Sequence, residues 1–340
     1  MSFVLGVDGG NSKTIVMIAR SDGEVAAVTR TGCGNHQGIG VEPAMAAIEA
    51  AVDGALRSAG LQRTDLAAAC FALAGADFDE DFALLRPALA GRAFAPVWQL
   101  HNDTMAALRA GTENRDAVAL IVGAGMNAAA RNAEGEEARY LALGWKSGDW
   151  GGGGDIAEEA IRLSIQDWDG RGRPTALRPL VLRQLGVVDF DSLIRALYRR
   201  EIPRARILGL VPHVLRAADA GDQVAIAIVR RAGEESAAMG TALMRRLGLL
   251  ASEVDVVLTG SVLRAGCRTL VDTISDRIRE AAPRANLVVP RDEPVVGAVL
   301  GALDLDGAPV DASVRQRLSV SAAAALVGHS RQVDPAPQST

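Results

Sequence analysis

Three glycine turns, each closing an apolar run, are the stretches of this 340-residue chain best placed to do chemistry. The first is Asp8-Gly9-Gly10-Asn11-Ser12-Lys13-Thr14, between Phe3-Val4-Leu5 and Ile15-Val16-Met17-Ile18. The second, Gly123-Ala124-Gly125-Met126-Asn127, follows the run 117–122, and the third, Thr259-Gly260-Ser261, follows 254–258. A turn without Cβ atoms lets backbone N–H groups approach an anion. Asp8 adds a carboxylate at the mouth of the first turn, where a hydrated Mg2+ can sit. Singly, each stretch reads as a plain turn. Together they end strands, and ligands of open α/β sheets collect at carboxyl ends of strands, so the set points to a nucleotide phosphate. None fits GxxxxGK[ST] or GxGxxG, which argues against a P-loop or a dinucleotide fold. Lys13 reads equally as a phosphate partner or a solvated hairpin residue. Asp103, between a strand end and a helix start, reads either as a carboxylate aimed into a cleft or as a plain helix N-cap.

The elements that must position these turns repeat. A strand leads into the first turn, a hairpin follows through Ser21-Asp22-Gly23, and helices are expected over 44–58, 77–90 and 104–110, with strands over 66–74 and 97–100. From Ala117 the pattern restarts: strand, glycine turn, strand 128–131, Glu134-Gly135 turn and strand 140–143. Two copies about 115 residues apart suggest two similar halves, each with a phosphate turn. The segment 144–154 reads as a glycine-dense linker, followed by helices over 156–168, 176–185, 190–199, 205–220 and 223–249. A strand over 254–258, a helix over 269–281, a strand over 286–289 and a helix over 294–303 complete the pattern, and a polar tail is expected to be disordered from about 328.

Composition bounds the function classes. Apolar residues make up 49% and charged residues 23%, with net charge −5, so neither nucleic acid nor an anionic membrane is favoured as a partner. No apolar run approaches bilayer length, and a strand pattern begins at once, so no leader is expected. Three scattered cysteines, Cys33, Cys70 and Cys267, form no CxxC, which fits a reducing cytoplasm.

The three turns, with Gly34-Asn35-His36, Asn102-Asp103, Gly144-Trp145, Ser147-Gly148-Asp149-Trp150-Gly151, Asp169-Gly170-Arg171-Gly172 and Glu293-Pro294-Val295-Val296-Gly297-Ala298, resemble the actin / sugar kinase / hsp70 superfamily. Within it the chain resembles the BadF/BadG/BcrA/BcrD ATPase family, which includes N-acetylglucosamine kinases, over roughly residues 3–305. The resemblance implies an α/β fold: two ribonuclease H-like, actin-like ATPase domains of mixed sheets flanked by helices, with the ligand cleft between them. The domains are expected over 1–113 and 114–310, the second with a helical insertion, followed by a tail over 311–340.

It further implies an ATP- and Mg2+-dependent kinase acting on an amino sugar, N-acetylglucosamine or a related hexosamine. Asp103 would be the general base and Asp8 would hold Mg2+ through water. Gly9, Gly10, Asn11, Ser12, Lys13 and Thr14 would contact ATP, with Gly123, Ala124, Gly125, Asn127, Gly260 and Ser261. Asn35, His36, Asn102, Asp103, Gly144 and Asp149 would form the acceptor set, although His36 alone reads as a structural histidine. A homodimer is a family expectation.

Two departures stand out. Ala124 replaces the usual Ser or Thr of the second phosphate turn, which removes a hydroxyl but no amide. After Asp149 the family's Glu-Gly-Ser gives way to Trp150-Gly151-Gly152, which loosens the expectation of an acetylated sugar. The family's other branch comprises activator ATPases, nucleotide-driven switches acting on a protein partner through a shared iron–sulfur cluster. Here none of Cys33, Cys70 and Cys267 lies in the second-phosphate region or the region following it, where such ligands fall, so no cluster is expected.

Overall fold

Alternating apolar residues from Val4 onward bury side chains on both faces of a strand, and the structure, a computed structural model, shows a sheet covered on both sides. It describes residues 2–11 and 13–333, with side chains as far as 328. Ser12 and the end of the tail lie outside the described residues. The chain divides into two units, 1–113 with 290–340, and 114–289.

The first unit contains β1 (Phe3–Gly9), β2 (Thr14–Arg20), β3 (Val25–Thr31), α1 (His36–Ile39), α2 (Val41–Ala59), β4 (Leu66–Leu73), α3 (Asp79–Ala90), β5 (Val97–Asn102) and α4 (Asp103–Gly111). The second contains β6 (Ala117–Val122), β7 (Met126–Arg131), β8 (Glu137–Arg139), α5 (Gly153–Trp168), α6 (Leu177–Leu185), α7 (Phe190–Tyr198), α8 (Arg204–Leu208), α9 (Val211–Asp219), α10 (Gln223–Arg246), β9 (Asp255–Thr259), α11 (Ser261–Arg264), α12 (Arg268–Ala281) and β10 (Asn286–Val288). The chain then returns to the first unit as α13 (Pro294–Asp306) and α14 (Ala312–Val333).

The sheet orders are β3-β2-β1-β4-β5 and β10-β9-β6-β7-β8. Each has a central strand antiparallel to its hairpin partner and parallel to the strand on its other side. The two units therefore share one topology, with the second order running in reverse. In the first sheet, Leu5, Val7, Phe71 and Leu100 pack on α2 residues Met45, Ile48 and Val52. Val4, Met17 and Cys70 pack on α13 residues Val299 and Leu300, and on Leu318 of α14. The second unit has one large core built mainly on α5, α9, α10 and α12.

Four expectations are corrected. Residues after Pro290 join the first unit, where residues up to 310 were assigned to the second. The supposed tail carries the helix α14 through Val333, anchored by buried Leu318 and Ala322, one helical turn apart. The third strand of the second hairpin is Glu137–Arg139, not 140–143, because the turn closes at Asn132 N–H to Glu136 O (3.0 Å) and pairing resumes at once with Arg131 opposite Glu137. The helix expected over 205–220 breaks into α8 and α9 around Gly209-Leu210, where Pro212 removes a donor.

Candidate functional site

In the first unit, the parallel register sets Gly9 beside Leu73, and Leu73 beside Asn102. Asp8, the segment after β4 and the start of α4 therefore lie at one sheet edge. Two strand spacings, about 10 Å, separate β1 from β5. Gly10 N–H closes the hairpin onto Lys13 O (2.8 Å), and Gly34 N–H docks on Gly10 O (3.0 Å). A side chain at Gly9 would meet the Leu73 side chain at 2.6 Å, so the end of β1 packs closely on that side chain. Thr14 is fully buried and its hydroxyl donates to Gly32 O (3.0 Å); it ties the following loop in place instead of facing a ligand.

Asn35 is buried and caps α1: its Oδ1 accepts from Gln37 N–H (2.8 Å), while its Nδ2 donates to Asn11 Oδ1 (2.6 Å). Gly75, at φ +83°, runs directly beneath the Asn35 amide, leaving no room for a Cβ. His36 turns to Asp81, with Nε2 2.9 Å from Oδ1. Burial raises the Asp81 carboxyl, but N–H donation from Phe78 and Asp77 and the His36 ring more than offset this and hold it below its ordinary value. His36 is thereby placed as a structural pair for the N-terminus of α3. Asn102, 3% exposed, caps α4 by accepting from Thr104 N–H (3.2 Å) and Thr104 Oγ1 (2.6 Å). Asp103 is the first residue of α4 and half-buried. The cap is Asn102, not Asp103, so the N-cap reading of Asp103 falls.

Sequence reasoning missed Asp77. It is buried, accepts from Asn102 Nδ2 (2.9 Å) and from Gln37 Nε2 (3.2 Å). One chain of hydrogen bonds thus runs from Asn11 in the first turn through Asn35, Gln37 and Asp77 to Asn102 beside Asp103. An Asp following Gly75-Ala76 at the end of a buried strand was the available signal.

In the second unit, Gly123 N–H closes its turn on Gly125 O (2.8 Å). Ala124 and Gly125 are exposed, and no described residue accepts from their amides. The "linker" glycines brace this turn: Gly153 and Gly154 N–H donate to Gly123 O and Ala124 O, both 2.8 Å, and a Cβ on Gly152 would meet Gly125 Cα at 2.5 Å. Glycine is needed there because backbone packs on backbone. Gly260, at φ +102°, passes against the Val122 backbone, with Val122 N 2.7 Å from a would-be Cβ. Between these turns and α8–α9 lies a cavity of about 190 Å3, walled by Leu208, Val211, Pro212, Leu215 and Val262, with Gly123 and Ser261 at its rim. Asn127 lies on β7, its Oδ1 accepting from Ala128 N–H (2.8 Å).

Gly144 and Asp149 are brought together: Asp149 Oδ2 accepts from Gly144 N–H (2.9 Å), and Oδ1 accepts from the Ser147 hydroxyl. The carboxylate thus shapes a tight turn that holds Trp145 85% exposed. Trp150 is covered instead by the Arg231 guanidinium, 3.9 Å from the ring centre. Among the described residues, no group of three or more His, Cys, Asp or Glu side chains gathers as a metal cage. The Asp8 carboxylate, near the end of β1 beside the first glycine turn, is of a kind that suits Mg2+, which keeps several waters and needs only one or two protein carboxylates. Among the described residues no helix is long and apolar enough to cross a membrane.

The sequence model of the BadF/BadG/BcrA/BcrD ATPase family matches residues 5–302. An N-acetylmuramic acid/N-acetylglucosamine kinase of Clostridium acetobutylicum is 27% identical over 300 residues, covering 88% of this chain and 98% of that one. An N-acetyl-D-glucosamine kinase of Dictyostelium discoideum is 27% identical over 314 residues, covering 88% and 97%. In fold, a candidate N-acetylglucosamine kinase structure from Chromobacterium violaceum is similar with a TM-score of 0.71 at 24% identity, covering 88% and 98%. Both units accordingly have the ribonuclease H-like fold of actin-like ATPases.

Proposed function

Because this chain belongs to the BadF/BadG/BcrA/BcrD ATPase family, we propose that it is an ATP-dependent kinase that phosphorylates a hydroxyl of an amino sugar. The observation that supports this most is the shared sheet edge of the first unit, where the Asp8 turn and the Asn102–Asp103 helix start stand two strands apart. Both curated relatives carry N-acetylglucosamine in their names, which makes that sugar the first acceptor to try.

Asp103 takes the proton of the acceptor hydroxyl as its oxygen bonds to the γ-phosphorus. The bond to the β-phosphate oxygen breaks, and ADP leaves with that electron pair. A positioned carboxylate contributes roughly 10²–10⁴-fold in such a step. The exposed amides at Ala124 and Gly125 serve phosphate oxygens without reorganisation. The apolar cavity beside Gly260 and Ser261 suits a nucleotide base. Mg2+, when held at Asp8, neutralises phosphate charge.

Asn102 and Asp77 fix the first turn of α4, and hence the direction of Asp103. The turn shaped by Asp149 presents Trp145, whose exposed ring offers an apolar face to a sugar. Trp150 stands where the family pattern has Glu and offers no carboxylate for an acetamido group, so glucosamine belongs in the trial beside its N-acetyl form. A coupled ADP-release assay over neutral, amino and N-acetylated hexoses tests the proposal. Turnover with at least one hexosamine is expected. ATP binding with no turnover on any sugar would contradict it and favour a nucleotide switch acting on a protein partner.

A further inference from the structure

The Gly123–Gly125 turn offers no side-chain hydroxyl, since Ala124 is at its centre, and an arginine of α8 comes close to Gly154, one of the glycines that brace it. A methyl group placed on Gly154 would lie 3.2 Å from Arg204 Nη2 and 3.4 Å from Ala124 O. Arg204 opens α8, whose last residue, Leu208, walls the 190 Å3 cavity. It is exposed and, among the described residues, has no hydrogen-bond or ion-pair partner. Its neighbour on the same helix differs: Arg206 donates to Leu185 O (3.3 Å) and is committed to the end of α6.

Glycine at 154 leaves the space in front of the guanidinium open. The N-terminus of α5 supplies little positive charge itself, since Asp155 already accepts from the Gly151 and Gly152 amides, both at 3.0 Å. The long Arg204 side chain can swing toward an anion held on the Ala124 and Gly125 amides, and its planar fork is matched to phosphate oxygens.

We propose that Arg204 is a phosphate-binding residue of this chain, donating to the nucleotide's polyphosphate above the Gly123–Gly125 turn in place of the hydroxyl that Ala124 does not have. This rests on reading ATP as the phosphoryl donor. It predicts dependence on the phosphate tail: the base, seated against Leu208 and Val211, is bound independently of Arg204.

The test compares wild type, Arg204→Ala and Arg204→Lys by calorimetry with ATP, ADP and adenosine, alongside KM for ATP and for the sugar. Charge-assisted hydrogen bonds set the expected size: about a 10- to 100-fold loss of ATP and ADP affinity in Arg204→Ala. The lysine variant should fall between, with adenosine binding and the sugar KM unchanged. Because Arg204 is exposed, the alanine variant should keep the wild-type melting temperature. Wild-type ATP affinity in Arg204→Ala overturns the assignment and leaves the kinase reading standing. No ATP binding by wild type removes both. An equal weakening of adenosine and ATP would mean the variant disturbs the cavity, and would also overturn the assignment.

Discussion

Replacing Gly297 by Ala tests how α13 sets the position of α4, the helix that starts at Asp103. Gly297 lies flat against α4: a Cβ there would overlap the Ala106 carbonyl oxygen and sit 2.7 Å from Ala110 N. Ordinary contact begins near 3.4 Å, so the second clash alone demands a shift of at least 0.7 Å (3.4 less 2.7). Both obstacles are backbone and cannot swing aside. Overpacking of this kind costs about 1–3 kcal/mol, and helix backbone on both sides argues for the upper end. Alanine regains about 1 kcal/mol of helix propensity. The clash wins by about 2 kcal/mol, or a fall of roughly 4–8 °C in Tm for a unit of this size. Because α4 begins at Asp103, the same shift should lower kcat, by as much as ~10²-fold if the carboxylate moves about 1 Å. Gly328→Ala, with nothing near it, is the control and should be neutral or slightly stabilising. Scanning calorimetry and steady-state kinetics give both readouts. A Gly297→Ala protein at least as stable as wild type, with unchanged kcat, would refute the packing argument.

Acid and thiol chemistry offer further checks. Asp22 is drawn down to about 2, first by the Arg20 side-chain hydrogen bond, and Asp81 also lies below its ordinary value. Both are depressed in the folded state, so their contribution is complete above the ordinary carboxylate pKa of about 3.9 and is lost as pH falls toward 2. Melting temperature against pH should drop across that window, and Asp81→Asn should flatten part of the drop; an identical profile would contradict the His36–Asp81 account. Burial pushes the Cys70 and Cys267 thiols up to about 11, whereas Cys33 is half-buried. A thiol reagent at pH 8 should label Cys33 fast and the other two only after unfolding, since the thiolate is the nucleophile; three equally fast thiols would contradict the buried placement.

The glycine turns were legible because a strand, a turn and a strand are neighbours in sequence, and their hydrophobic pattern is local. The matching topologies of the two units followed from the same signal. What was hidden depended on distant pairing. Gly153 and Gly154 look like a linker until their amides are seen to bond Gly123 and Ala124, some thirty residues back. Asp77 looks like one of several helix-start carboxylates until Asn102, 25 positions on, donates to it. Thr14 and His36 have residue types suited to ligands, but burial commits them to Gly32 and Asp81. Arg204 is one of many arginines in a lysine-poor chain, and only the α5–α8 packing sets it apart. The return of α13 could be anticipated from its apolar run, whereas α14 was masked by a polar C-terminal end.

The most direct measurement compares wild type with Asp103→Asn under saturating ATP and the best hexosamine, with ATP affinity measured in parallel. Asparagine keeps the shape and the helix start but cannot accept the proton. The account predicts kcat/KM lower by roughly 10²–10⁴-fold, with ATP affinity unchanged. An Asp103→Asn enzyme that phosphorylates the sugar at the wild-type rate would contradict it.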